Sequence, residues 1–170
     1  MAGRRNLEFK ARVDDLDAVR RAATALGARD EGAWRDIDTY FHVPRGRLKL
    51  RRTVGQPGGT LISYHRPDAP GSRPSDYELL HVAAADTLER ILARTLGVRA
   101  VVAKQRHLLR YGSTRIHLDR VEGLGDFVEL ETLVALQRED EAAAEHAHVK
   151  QALSLESAEP VATSYGDLVG

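Results

Sequence analysis

Arg115-Ile116-His117-Leu118-Asp119-Arg120-Val121-Glu122-Gly123-Leu124-Gly125-Asp126-Phe127-Val128-Glu129-Leu130-Glu131 is the stretch on which the fold turns. On either side of Gly123-Leu124-Gly125 the residues alternate between charged and apolar, the period of a β-strand. Arg115, His117 and Asp119 share one face of the first strand, and Ile116 and Leu118 share the other. In the second strand Glu129 and Glu131 lie opposite Val128 and Leu130. Two successive strands therefore each carry one wholly charged face.

The same pattern runs outward along the chain. Asn6 to Val13 alternates strictly, with Glu8 and Lys10 on one face and Leu7 and Phe9 on the other. Arg47-Leu48-Lys49-Leu50-Arg51 repeats it, as do the residues around Lys104 and Arg106. The spacing predicts further strands over 38–43, 60–66, 75–82 and 100–111, with the last joined to 114–121 by the hairpin signal Gly112-Ser113. Helical periodicity appears over 14–27, ended by Gly27, over 86–96, ended by Gly97, and in the Ala-rich acidic stretch 139–153. Eight strands with three scattered helices predict an antiparallel α+β architecture, open or closed into a barrel. A doubly wound fold needs a helix after nearly every strand.

Composition bounds the function. The chain has 170 residues, the length of one domain, and no linker-like segment divides it, so 1–170 is read as a single domain. With 25 Lys+Arg against 25 Asp+Glu it lacks the basic excess of a dedicated nucleic-acid binder. The absence of cysteine excludes disulfides, thiolate zinc sites and thiol catalysis. No apolar run approaches a membrane span and the start lacks a signal-peptide core, so a cytoplasmic location is expected. No Ser-His-Asp pattern supports a serine nucleophile.

Charged strand faces are ordinarily the solvated side of a sheet. Here the signs are sorted: bases gather on 47–51 and 104–106, acids on 129–131 with Asp119 nearby. A face serving solubility alone would mix the signs along every strand. A sheet closed with this face inward, its helices covering the apolar outside, would enclose a cationic wall beside a carboxylate cluster. Polyphosphates need several Lys and Arg contacts, and carboxylates on alternate residues can hold the hard divalent cation that bridges them.

These residues resemble the CYTH superfamily, the triphosphate tunnel metalloenzymes, which include class IV adenylyl cyclases and thiamine and inorganic triphosphatases. The similarity runs from Asn6 to Leu168. It rests on Asn6-Leu7-Glu8-Phe9-Lys10 against the family's Glu-x-Glu-x-Lys, on Asp38-Thr39-Tyr40-Phe41, Tyr64-His65-Arg66-Pro67 and Val102-Ala103-Lys104-Gln105-Arg106, on the opening stretch above, and on Ser164-Tyr165-Gly166-Asp167-Leu168. The resemblance implies an eight-stranded antiparallel closed barrel, a tunnel with helices packed outside. It implies that Lys10, Lys49, Arg51, Lys104, Arg106 and Arg115 grip phosphate, with His65 and Arg66 at a further basic position. It implies that Glu8, Asp119, Glu129 and Glu131 hold Mg²⁺ or Mn²⁺, and that Glu8 or Asp119 orients the attacking water. Asn6 departs from the pattern by removing one carboxylate, which touches a second metal site.

The expected activity is metal-dependent hydrolysis of a triphosphate, whether inorganic, thiamine or nucleoside, by a monomer or homodimer with no nucleic-acid or membrane partner. Cyclisation of ATP to cyclic AMP and pyrophosphate, or non-catalytic binding of a phosphorylated ligand, are the alternatives. His146 and His148 are read as surface residues, Trp34, Tyr40 and Phe41 as packing, Tyr64 and Tyr77 as contacts for an organic group at the tunnel mouth, and 139–145 as a solvated helix face.

Overall fold

A computed structural model describes residues 3–135 and 138–170. In chain order the elements are β1 (Arg4–Arg12), α1 (Leu16–Leu26), β2 (Arg29–Phe41), β3 (Arg47–Thr53), β4 (Gly59–His65) and β5 (Arg73–Val82). There follow α2 (Ala85–Thr95), β6 (Val98–Tyr111), β7 (Thr114–Val121), β8 (Gly125–Val134), α3 (Glu139–Ala152), the two-residue β9 (Glu159–Pro160) and α4 (Tyr165–Val169). The strands hydrogen-bond in the order β5-β4-β3-β2-β6-β7-β8-β1, and β1 pairs with β5 to close the ring. Every pairing is antiparallel. This is the eight-stranded closed barrel expected from the alternation, with β9 added at the edge of β1.

Several strands run longer than the sequence pattern predicts, β2 most of all. β2 begins at Arg29, where Asp30-Glu31-Gly32-Ala33 has no apolar alternation to reveal it. Its register on β6 shifts between Asp30 and Gly32, and Gly32 takes φ +103°, a conformation open to glycine without strain. β6 likewise starts at Val98.

The apolar faces point outward, beneath the helices. Phe9, Ala11, Ile116, Leu118, Val128 and Leu130 are buried under α1 and α3. Leu50 and Phe41 pack against α2. Asp15 caps α1 by accepting from Ala18 N–H, and Gly27 ends it in the left-handed conformation. A third cluster, Tyr40, Ala100, Val102, Val121, Phe127 and Tyr165, lies inside one end of the barrel. There the C-terminal α4 enters: Ser164 and Asp167 form a reciprocal capping box, and Asp167 also pairs with Arg47 at 2.7 Å and with Arg99.

Two readings of α3 are corrected. His146 is buried rather than on the surface: its Nδ1 lies 3.0 Å from the Thr132 hydroxyl and its Nε2 2.9 Å from that of Ser72. Glu145 is not simply solvated, because it accepts hydrogen bonds from Ser113 N–H and the Thr114 hydroxyl and so ties α3 to the β6–β7 hairpin. His148 is exposed.

Candidate active site

Register builds the site. Residues directly opposite in an antiparallel pair share a face. Glu8 on β1 faces Glu131 on β8, which faces Arg115 on β7. One step along, Lys10 faces Glu129, which faces His117. Side-chain ligand atoms of His117, Glu129 and Glu131 all lie within 4.8 Å of one another. They line a cavity of about 260 Å³ inside the barrel, together with Glu8, Lys10 and Arg115.

Each carboxylate has its own base. Lys10 Nζ is 3.5 Å from Glu129, Arg66 donates to Glu8 at 3.1 Å, and Arg115 donates to Glu131 at 2.7 Å. Burial and the neighbouring Glu131 and Glu129 push Glu8 up to about 7. Burial, the largest single influence, would also raise Glu129, but Lys10, a hydrogen bond with Glu131, Arg106 and His117 together hold that carboxyl well below the usual range. Glu131 is lowered too, because His117 and Arg115 overcome its burial. Lys10 falls to about 8 because burial disfavours its charged form.

The basic wall comes from β3 and β6. Lys49, Arg51, Lys104 and Arg106 line the cavity, as does Arg66 just beyond β4. Two of the arginines are already braced by acids. Arg51 donates through Nε and Nη2 to Asp38, both at 2.8 Å, and Lys49 and Lys104 approach the same carboxylate at 3.2 and 3.4 Å. Arg106 donates through Nε and Nη2 to Asp119 at 2.8 and 2.7 Å, and the Tyr165 hydroxyl donates to Asp119 at 2.9 Å. In both pairs the fork is spent on a protein carboxylate, leaving Nη1 outside it. Burial, then Arg106 and Arg51, lower Lys104 to about 7, with Asp38 opposing them.

The expected residues thus divide. Glu8, Lys10, Lys49, Arg51, Arg66, Lys104, Arg106, Arg115, Glu129 and Glu131 face the cavity. Asp119 does not reach it: the side chain is fully buried behind Arg106 and apart from the His117–Glu129–Glu131 cluster. His65 lies outside as well. Thr60, Ile62 and Tyr64 on β4 line the cavity, so the period of two turns the exposed His65 outward, and Arg66 supplies the inward base. Tyr40, read as packing, is part of the cavity wall, and Tyr64 and Tyr77 also line it.

In the sequence Asp38 and Tyr165 stand out only as parts of larger blocks. Tyr165 carries Lys10 Nζ 4.0 Å from its ring centre, besides holding Asp119. The partnership of Asp119 was accessible in principle: a hairpin turning at Gly112-Ser113 pairs Tyr111 with Thr114 and hence Arg106 with Asp119.

The sequence profile of the CYTH domain matches residues 4–165. An Aeromonas hydrophila protein named adenylate cyclase CyaB is 32% identical over 151 residues, covering 82% of this chain and 73% of the relative. Among solved structures, PH1012 from Pyrococcus horikoshii superposes with a TM-score of 0.86 at 22% identity, covering 97% of this chain and 99% of that one. The Hippeastrum putative adenylyl cyclase HpAC1, whose structure was described as revealing a dominant triphosphatase activity, gives 0.60 at 14% identity, with 94% and 91% covered.

Proposed function

The chain belongs to the CYTH domain family, and on that premise we propose that it is a metal-dependent triphosphatase whose tunnel binds the substrate's phosphate chain. One observation carries this reading: a carboxylate cluster and a lysine- and arginine-rich wall line the same cavity inside the barrel.

The donor set suits a hard divalent cation such as Mg²⁺ or Mn²⁺. Glu8, Glu129 and Glu131 offer carboxylate oxygens, and beside them His117 Nδ1 is buried without a hydrogen-bond partner while its Nε2 lies 3.3 Å from Glu131. These four residues would hold the metal, which would draw charge from the phosphate oxygens. Because each of the three carboxylates is already balanced by a base, metal and polyanion are expected to enter together.

The protein's own part is positioning and charge neutralisation, which dominate phosphoryl transfer. Lys10, Lys49, Lys104, Arg66 and Arg115 fix the phosphate chain, while Arg51 and Arg106 point their remaining Nη1 groups from carboxylate-braced positions. Glu8 is the better candidate to orient the water. It reaches the cavity, whereas Asp119 has its oxygens taken by Arg106 and Tyr165 and serves to position Arg106.

Incubating the protein with Mg²⁺ or Mn²⁺ and a panel of triphosphates, then identifying the products, tests this directly. Metal-dependent release of orthophosphate is expected; no turnover of any triphosphate would defeat the reading. Cyclisation is the second reading, favoured by the 32% identity to a protein named adenylate cyclase, and its signature is pyrophosphate with a cyclic nucleotide.

A further inference from the structure

The partners of buried His146 fix its tautomer. Thr114 gives its hydroxyl proton to Glu145 Oε2 at 2.7 Å, so Thr132, whose hydroxyl lies 2.8 Å from that of Thr114, must give its own proton to Thr114. Thr132 then has only lone pairs left for His146, and Nδ1, 3.0 Å away, carries the ring proton that meets them. His146 Nε2 is left as an acceptor, and the Ser72 hydroxyl donates to it at 2.9 Å. One polarised chain of hydrogen bonds thus runs from Ser72 in the loop 66–72, through β8 and β7, to Glu145 on α3.

That loop carries a base of the barrel interior at each end. Arg66 opens it, lines the cavity and donates through Nη1 to Glu8. Arg73 follows it on β5, directly opposite Glu8 on β1. Both side chains are buried, and Nε and Nη2 of each have no hydrogen-bond partner. Neither is clamped by a carboxylate fork as Arg51 and Arg106 are, so the backbone that carries them decides where they lie. Arg73 Nη1 braces that backbone from within by donating to the carbonyls of Ala69 at 2.9 Å and Gly71 at 3.2 Å. The two arginines carry like charges, and burial and then Arg66 lower Arg73 from the ordinary arginine value. A loop holding such a pair needs anchors outside the barrel. Asp68 supplies one through Arg47 at 2.7 Å, and Ser72 supplies the other through His146.

We propose that His146 is a positioning residue for the triphosphate site: by accepting the Ser72 hydroxyl it fixes the loop 66–72 and so seats Arg66 beside Glu8. This role rests on the tunnel being a triphosphate site. It makes α3, which supplies no side chain to the cavity, a support for one of its bases. The part that matters is the Nε2 acceptor, since Nδ1 ties α3 only to Thr132.

The test is calorimetric binding of inorganic imidotriphosphate, with Mg²⁺ present, to wild type, His146→Asn, His146→Gln and Ser72→Ala. Asparagine keeps a donor where Nδ1 stands but has nothing at Nε2, whereas glutamine places an amide oxygen where Nε2 accepts. His146→Asn and Ser72→Ala should each weaken binding about fivefold, the scale of one lost hydrogen bond, and His146→Gln should stay within about twofold of wild type. In an Arg66→Ala background His146→Asn should cost nothing further, because the two act in series. Ser72→Ala leaves α3 untouched and keeps the test decisive should a His146 variant fail to fold. Wild-type affinity in His146→Asn and Ser72→Ala would overturn the role and leave the triphosphate reading standing. So would a loss in His146→Gln as large as in His146→Asn, or a loss that persists in the Arg66→Ala background. Failure of the wild-type protein to bind imidotriphosphate would remove both.

Discussion

His146 shows how one side chain can report on the fold without touching the site. Its ring joins Thr132 of β8 to Ser72 of the β4–β5 loop, and Thr132 continues to Thr114, whose hydroxyl also donates to Glu145. Burial, with Lys150 one turn away adding a like charge, lowers His146 to about 4. The folded pKa lies below the unfolded value near 6.5, so the unfolded chain takes up the proton first. This contribution is complete above about pH 6.5 and is lost as pH falls toward 4, amounting to at most roughly 3 kcal/mol. Urea unfolding of wild type and His146→Gln should therefore show a stability gap that narrows steadily between pH 7 and pH 4.5; a gap independent of pH would mean that the ring carries no such shift. The sequence pattern could not place His146 indoors, because a histidine between Ala142 and Val149 on the buried face of α3 interrupts its apolar row and is held there by hydroxyl partners from other elements. By contrast the inward residues of β1, β3, β6 and β8 were legible from alternation alone, since a period of two leaves only two faces to choose between. What alternation does not give is the partner of each charge. Asp38 becomes the shared acid of Lys49, Arg51 and Lys104 only once three strands are set side by side.

Among the elements, α4 is the one whose role the sequence hid. Five residues are too few for a periodicity argument, yet they close one end of the barrel. Tyr165 passes between Phe127, with ring centres 5.0 Å apart, and Lys10, and its hydroxyl reaches Asp119. Gly166 makes this seating possible: a Cβ there would lie 2.8 Å from Cγ of the Tyr40 ring, closer than packed carbon atoms approach. Gly166→Ala must move either the buried Tyr40 or the helix, at a cost of about 1–3 kcal/mol. Since Tyr165 braces Asp119, and Asp119 braces Arg106, the displaced helix should also weaken triphosphate binding. Tyr165→Phe separates the two effects. It keeps the ring beside Phe127 and Lys10 but leaves Asp119 without its hydroxyl donor, so affinity should fall severalfold with the helix still docked. Chemical denaturation and calorimetry on the two variants measure this; unchanged affinity in both would detach α4 from the site. The strands beyond 38–43 and 100–111 were hidden for a different reason, because the ends of β2 and β6 extend past the barrel's buried rows and lose their alternation there.

For the molecule as a whole, inverted amphipathicity means that stability and chemistry occupy alternate residues of the same strands. An ordinary sheet hides its apolar face in one core and shows the other to water; this barrel hides both, the apolar face under helices and the charged face around the tunnel. On β8, Val128 and Leu130 are fully buried outside, while Glu129 and Glu131 line the cavity inside. Removing an outward side chain leaves a cavity between barrel and helices, and Leu130→Ala should cost about 2–5 kcal/mol. Removing an inward charge has opposed effects on the fold. Glu131→Gln loses its pairing with Arg115 but also relieves repulsion from Glu8 and Glu129, which themselves lie among bases. Its expected change in stability is therefore small, within about 1 kcal/mol, the range of a largely compensated ion pair. Function should respond in the opposite order. Leu130→Ala, studied at a temperature where it remains folded, should bind Mn²⁺ with triphosphate nearly as wild type does. Glu131→Gln should lose at least tenfold in Mn²⁺ affinity, since the cluster gives up one of its charged oxygen donors. Urea denaturation and calorimetric titration of the two variants, one residue apart in sequence, provide the decisive comparison. Equal losses of stability would mean that the inner charges hold the barrel together as much as the outer core does. Unchanged Mn²⁺ affinity in Glu131→Gln would move the metal away from this row of carboxylates.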